Sequence, residues 1–446
     1  MLYIIFCMIF CVTLYYVRYV FKIKSIPVKL IYIEIMYNFF IKFLEGYLGL
    51  PSILNYVTDL ILILLVFYYF MQKKAGFRRR VPISLLAVFI IYLTVAVASY
   101  IVNIYNPVLF VWGVRNNMRF IIFAMMCAVY LKMDDIYKVM DMTVGYFILN
   151  IPVITYEYFF AGLTFRTGDV ISGLYSVKTT QGGNGELNWL ICIVATYAII
   201  QYLNKEKKVG YLLFCLGGSF YMAALSELKV FFIEIIVIAL ICVYCCKKSL
   251  KMVGFVMIGI IMLIVGIQLL YLWFPKFQDF FALANLKANI FTSESYNTES
   301  GMSRTGAVEY VMNHYLKDFS TRVLGIGFGN ADYSGFDFLT SNFYKVNSKS
   351  SYMWFYAPFI LVETGILGLV SYLLIIINFI RKTVKIKNYS SKIQEIKLFN
   401  IVIGGLAVIM LFYNQSLKTE TAGYLVYFIL VIPYIIERSY IFNRRN

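Results

Sequence analysis

Residues 82–104 read PISLLAVFIIYLTVAVASYIVNI and carry no charged side chain. As an α-helix rising 1.5 Å per residue, such a run crosses the ~30 Å hydrocarbon core of a bilayer. Apolar runs of ~17–25 residues recur along the whole chain, which is the length a spanning helix needs. Hydrophobic residues make up 61% of the sequence and charged residues only 14%. A soluble domain cannot bury that much apolar surface, so the fold class is an all-α polytopic membrane protein.

Working outward from residues 82–104, spans are expected near residues 1–20, 30–48, 55–71, 117–132, 137–161, 187–203, 209–225, 229–246, 252–273, 353–380, 398–415 and 421–437, about twelve or thirteen in all. Glu34, Lys42 and Glu45 interrupt the second run, which also fits an interfacial or re-entrant helix. Residues 1–20 lack a basic leader and a small-residue cleavage site, so they read as a span and not as a cleaved signal. The organisation follows: an N-terminal transmembrane bundle over residues 1–273, a long polar loop over 274–352, and C-terminal helices with a tail over 353–446.

Lysine and arginine cluster in every second connection, at Lys73–Arg80, Lys205–Lys208, Lys247–Lys251 and Arg381–Lys397. Basic short loops stay cytoplasmic, so the C-terminal tail is expected inside and the loop 274–352 outside. That loop holds seven basic and seven acidic residues. The net charge of +17 therefore sits in the cytoplasmic connections and reflects topology, not nucleic-acid binding. The eight cysteines all fall in spans or at their cytoplasmic ends, and the chain has one histidine. Neither disulfides nor a zinc site is expected.

Three outer connections carry polar groups. Residues 105–119 hold Asn106, Arg115, Asn116, Asn117 and Arg119; residues 162–186 hold Arg166, Asp169, Lys178, Asn184 and Glu186; the long loop holds the rest. They open on one side and suggest a shared polar cavity. Arg166 follows an apolar run directly, where it either grips a phosphate or snorkels to the headgroups. The five glycines between residues 168 and 185 serve a ligand-binding loop or a plain flexible link.

Within the long loop, residues 303–319 have the spacing of an amphipathic helix. Ser303 is placed to cap it, and Val308, Val311, Met312, Tyr315 and Phe319 form the apolar stripe. Arg304 falls in its first turn, beside unpaired N–H groups that favour an anion. His314 lies one turn from Tyr310 and Asp318, an arrangement that suits either a general base or an ordinary surface histidine. Glu309 and Asp332 are the other candidate bases. The run GIGFG at 325–329 lacks the preceding strand of a dinucleotide fingerprint and reads as a compact turn.

The arginine-led loop helix, the run LGIGFGN ending at Asn330, and the span containing LVETGILGL (residues 361–369) together resemble the superfamily of O-antigen ligases and Wzy-type polysaccharide polymerases. A shorter match is LSELKVFF, residues 225–232, where Lys229 stands in place of the ligases' arginine. The ligases also place a histidine ahead of the glutamate and glycine. Here residues 350–363, SSYMWFYAPFILVE, contain none, so the resemblance favours a polymerase over a ligase.

The resemblance implies a fold like that of membrane-embedded GT-C glycosyltransferases in a bacterial cytoplasmic membrane. It implies a lipid-linked glycan donor and acceptor, both on undecaprenyl diphosphate, with no cofactor, no metal and no nucleic acid. A chain-length regulator and a flippase are its expected partners. Arg304, His314 and Glu309 are then the catalytic candidates, with Arg166, Lys229 and Arg115 binding substrate. The alternatives are an O-antigen ligase or a flippase for lipid-linked oligosaccharide. A transporter would use the intramembrane acids Asp59, Glu157 and Glu234.

Overall fold

The computed structural model describes residues 2–71, 80–161, 170–176, 182–245, 268, 302–303, 306–387 and 390–443. Arg166, Arg304 and the expected span 252–273, apart from Gln268, lie outside the described residues. Among the described residues the regular structure is entirely helical. Its long helices are α1 (Leu2–Phe21), α2 (Ile26–Leu48), α3 (Val57–Met71), α4 (Ile83–Asn103), α5 (Pro107–Tyr130), α6 (Met133–Phe159), α7 (Asn184–Leu203), α8 (Val209–Leu225) and α9 (Lys229–Cys245). The polar segment contributes three short helices, α10 (Ala307–His314), α11 (Phe319–Leu324) and α12 (Asn342–Asn347). The chain finishes with α13 (Tyr356–Lys385), α14 (Ser391–Tyr413) and α15 (Glu420–Asn443).

Among the described residues, 9 helices are long and apolar enough to cross a membrane: α1, α3 with the turn before it, α4, α5, α6, α7, α13, α14 and most of α15. The all-α polytopic reading stands on these. Helix α2 is a continuous helix with Ile31, Tyr32, Glu34 and Phe43 fully buried. It packs against α1, α3 and α15. The periodicity of its apolar residues, interrupted by Glu34, is explained by this packing on several sides.

Two expectations need correction. The stretch 105–119 is not a connection: Asn106 accepts the Val108 N–H at 3.0 Å, Pro107 occupies the first helical position, and α5 runs on from there. Its polar run, Arg115 to Arg119, therefore projects from the body of a helix. The amphipathic helix expected over 303–319 is also shorter. Ser303 Oγ accepts the Gly306 N–H at 3.0 Å, α10 ends at His314, and a second helix starts at Phe319. Val311 is buried as expected, but Phe319 is 84% exposed because it belongs to α11 and not to the stripe.

At one end of the bundle α7 begins where α8 ends and α14 ends. Asn184 Nδ2 donates to Ser226 O at 3.0 Å, Trp189 Nε1 to Ser416 Oγ at 2.8 Å, and the Tyr356 N–H to Asn414 O at 3.2 Å. At the opposite end Arg438 donates to the carbonyls of Ala128 and Leu131 at 2.7 and 2.6 Å, and Lys382 pairs with Glu437. The segment 302–354 sits over the first end, against α13 and α4. The basic residues Lys205–Lys208 follow the far end of α7, and Arg381–Lys387 occupy the far end of α13 and the residues just after it, so both lie opposite it.

Candidate functional site

Glycine makes the joint that fixes this end. Helix α13 breaks at Gly365, whose φ of 64° lies in the left-handed region. The chain at 325–329 fills the break: Ile326 N–H donates to Val362 O at 2.8 Å and Gly327 N–H to Glu363 O at 3.1 Å. A Cβ on Gly325 would strike the backbone of Glu363 and Thr364, and one on Gly365 would strike Val323 and Leu324. The GIGFG run is thus not a free turn; it is packed into the broken helix.

That packing positions Glu363, which is 1% exposed. Its Oε1 accepts the Gly329 N–H at 3.0 Å and its Oε2 accepts Asn117 Nδ2 at 3.1 Å. Asn117 Oδ1 in turn accepts the Tyr356 hydroxyl at 3.3 Å. The carboxyl is held by one group each from the loop and from α5, with the Tyr356 ring closing the shell.

Beside it lies Asp332, 2% exposed. Oδ1 accepts Lys418 Nζ and the Tyr333 N–H, at 2.7 and 2.9 Å, and Oδ2 accepts Asn116 Nδ2 at 2.7 Å. Tyr352 fixes the neighbouring peptide by donating to Ala331 O at 2.5 Å. Burial, reinforced by Asp332 and Glu363, raises the Tyr352 phenol far above its usual range, so it remains a donor. Lys418 Nζ also sits 3.6 Å from the centre of the Phe359 ring.

A third cluster continues from Asn116, whose Oδ1 accepts Arg115 Nη1 at 2.7 Å. Arg115 grips Asp59 through Nε and Nη2 and reaches Glu420 at 3.2 Å. Arg119 holds the same Glu420 oxygen at 2.5 Å. The rings of Tyr56 and Trp112 cover the Arg115 guanidinium at 5.0 and 4.9 Å. Groups from α3, α5, α13, α15 and the polar segment therefore form one connected system. Chemically it offers carboxylates that can accept a proton, and cations within reach that can offset developing negative charge.

Of the residues expected from sequence, Arg115 lies inside this system, where three of its nitrogens are engaged by Asp59, Asn116 and Glu420. Lys229 opens α9 just after Glu227, a residue at φ 52°, and belongs to the same end of the bundle. Glu309 and His314 are exposed on α10. The His314 ring stacks on Tyr310 at 4.1 Å, with Nδ1 3.0 Å from Tyr310 O. Asp318 precedes α11, and among the described residues no ion pair joins it to His314, because the helix that would have aligned them stops between them. Arg166 and Arg304 lie outside the described residues.

Lys418 and Glu420 were not singled out in the sequence. Their signal was the charged KTE run at the mouth of the last span, where an apolar helix is about to begin. The intramembrane acids differ in their use. Asp59 is paired with Arg115. Glu157 accepts the Tyr47 hydroxyl and the N–H groups of Ser172 and Gly173, so it pins the short segment 170–176. Glu234 accepts Asn188 Nδ2 at 2.7 Å and the Cys192 thiol at 3.2 Å. No protein-family model matches the chain, and no curated protein matches it in sequence.

Proposed function

We propose that this protein is a membrane-embedded glycosyltransferase that polymerises undecaprenyl diphosphate-linked oligosaccharide units into a surface polysaccharide. The reaction takes place at the outer face of a bacterial cytoplasmic membrane, with the C-terminus inside. The observation that carries this reading is the buried system of Asp332, Lys418, Glu363 and Asn117 at the end of the bundle covered by the polar segment. The described basic runs, Lys205–Lys208 and Arg381–Lys387, lie at the other end, which is the arrangement expected if the covered end faces out.

In this mechanism a base takes the proton of the acceptor sugar hydroxyl as that oxygen attacks the anomeric carbon of the donor. The bond to the lipid diphosphate breaks, and cations offset the charge on the departing group. Asp332 takes the role of base as the candidate carboxylate at this end of the bundle, its orientation fixed by Lys418, the Tyr333 N–H and Asn116. The cationic set is Arg115, Lys229, Arg166 and Arg304, with Lys418 paired to Asp332. Deleting the gene and restoring it with a variant tests the activity. Loss of function should leave glycans of a single repeat unit at the surface; repeat units trapped on the inner leaflet would mean a flippase instead.

A further inference from the structure

Four buried polar atoms at the junction of α2, α5 and α15 have no hydrogen-bond partner: Glu34 Oε2, Asn38 Oδ1, Arg119 Nε and Tyr424 Oη. Their residues are between 0% and 6% exposed. Glu34 and Asn38 occupy successive turns of α2, where Asn38 Nδ2 donates to Glu34 Oε1 at 3.2 Å. Arg119 comes from α5 and is anchored through Nη1 to Glu420, one turn before Tyr424 on α15. The Tyr424 ring is held edge-on by Phe120 and Phe123, at 5.0 and 4.9 Å between centroids. Glu34, Arg119 and Tyr424 are within electrostatic reach of one another.

The unmet groups are complementary. Glu34 Oε2 and Asn38 Oδ1 accept; Arg119 Nε donates; the Tyr424 hydroxyl does either. Leaving four such atoms unpaired in an apolar bundle carries a desolvation cost that nothing offsets. Buried water characteristically resolves this, since one molecule makes 2–4 hydrogen bonds to groups of both kinds. An ionisable side chain at this depth is otherwise hard to account for.

We propose that Glu34, Asn38, Arg119 and Tyr424 line an internal hydration site, in which water bridges the unmet acceptors to the unmet donors and Glu34 carries an exchangeable proton. The charged or titratable groups facing Glu34 are Asp59 of α3, Arg119 and Cys127 of α5, Glu420 and Tyr424 of α15, and Tyr37 of α2 itself. Arg119 is the only cation among them. A proton on Glu34 leaves Arg119 to Glu420, whereas an ionised Glu34 competes for it. The site thereby links a proton in the bundle interior to the ion pairs that hold Arg115, whatever reaction the outer cluster performs.

Infrared difference spectroscopy of the purified full-length protein in nanodiscs, in H2O and in D2O, tests this. Subtracting the Glu34→Gln spectrum should reveal the carbonyl stretch of one protonated carboxyl, and that band should shift in D2O. Tyr424→Phe, which keeps the ring packing, should move the same band without removing it, and it keeps the test open if Glu34→Gln does not fold. The proposal fails if no carboxyl band is lost with Glu34, if the band is silent to D2O, or if Tyr424→Phe leaves it in place.

Discussion

Gly329 donates its backbone N–H to Glu363 Oε1 at 3.0 Å, joining two short motifs across 34 positions of sequence. GIGFG and LVETG are consequently two halves of one joint. The first supplies a backbone with φ of 71°, 120° and 83° at its three glycines, and the second supplies a helix broken at Gly365. Neither half would hold its conformation alone, because positive φ is unfavourable outside glycine and the broken turn leaves peptide groups unpaired. Together they bring the Glu363 carboxyl to α5.

The joint is sensitive to a single carbon. Gly365→Ala and Gly325→Ala each add a Cβ that strikes opposing backbone and also impose an unfavourable φ. Each should destabilise the protein by about 1–3 kcal/mol or prevent folding. Gly335 has open space around its Cβ position and an ordinary φ, so Gly335→Ala should leave the melting temperature in detergent nearly unchanged. Equal effects at all three positions would remove the joint from the account.

Glu363 separates shape from charge. Glu363→Ala strands the Gly329 N–H in a buried site, at a cost of about 1–3 kcal/mol, and leaves Asn117 Nδ2 with Gly113 O as its remaining acceptor. Glu363→Gln retains an oxygen for Gly329 and leaves Asn117 Nδ2 on Gly113 O, so its one conflict is the new NH2 set against Asn117 Nδ2. Thermal melts should therefore rank wild type, Gln and Ala in that order. A Gln variant as unstable as Ala would mean that the charge, not the hydrogen bonding, holds the joint.

How far the sequence could reach is clear from these same residues. Helix positions were legible because each span is an apolar run of bilayer length, and Val209–Leu225 was bounded to the residue. The start of α5 was not, since a run as polar as Arg115–Arg119 resembles a loop until its partners Asp59, Asp332 and Glu420 are known, and these lie on other elements. Glu363 and Asp332 attracted notice by motif and by residue type. For Lys418 the charged KTE run was the sole local sign, and it says nothing of a contact made across 86 positions of sequence. Pairing in space between distant charges has no periodicity to read.

Arg115 and Asp59 are partly exposed, at 21% and 19% of their side chains, and are linked by more than one hydrogen bond. Removing either should cost no more than about 3 kcal/mol, the lower bound for a fully buried pair. Removing both, as Arg115→Met with Asp59→Leu, should cost less than the sum of the single changes, with a coupling of about 0.5–3 kcal/mol. Chemical denaturation of the four proteins in matched micelles checks this. Additive effects would show that the two side chains contribute independently.

The pair that best tests the proposed function is Asp332 and Lys418, since its effect on stability can be separated from its effect on chemistry. Both oxygens of Asp332 face donors, namely Lys418 Nζ, the Tyr333 N–H and Asn116 Nδ2, and Asn116 Oδ1 is already committed to Arg115. An asparagine at 332 would set its NH2 against one of these donors however it rotates, and would leave Lys418, with 11% of its side chain exposed, without a counter-charge. Asp332→Asn should then lose about 3 kcal/mol or more, and adding Lys418→Met should recover part of that loss by removing the unpaired cation. If Asp332 is the base, the recovery must stop at stability: the double variant should reach the membrane at normal levels yet leave only single-repeat glycans. Lys345→Ala breaks a surface pair with the exposed Asp337 and should leave both chain length and stability as they are. Long glycans made by a stable Asp332→Asn, Lys418→Met protein would take Asp332 out of the reaction and return it to a purely structural role.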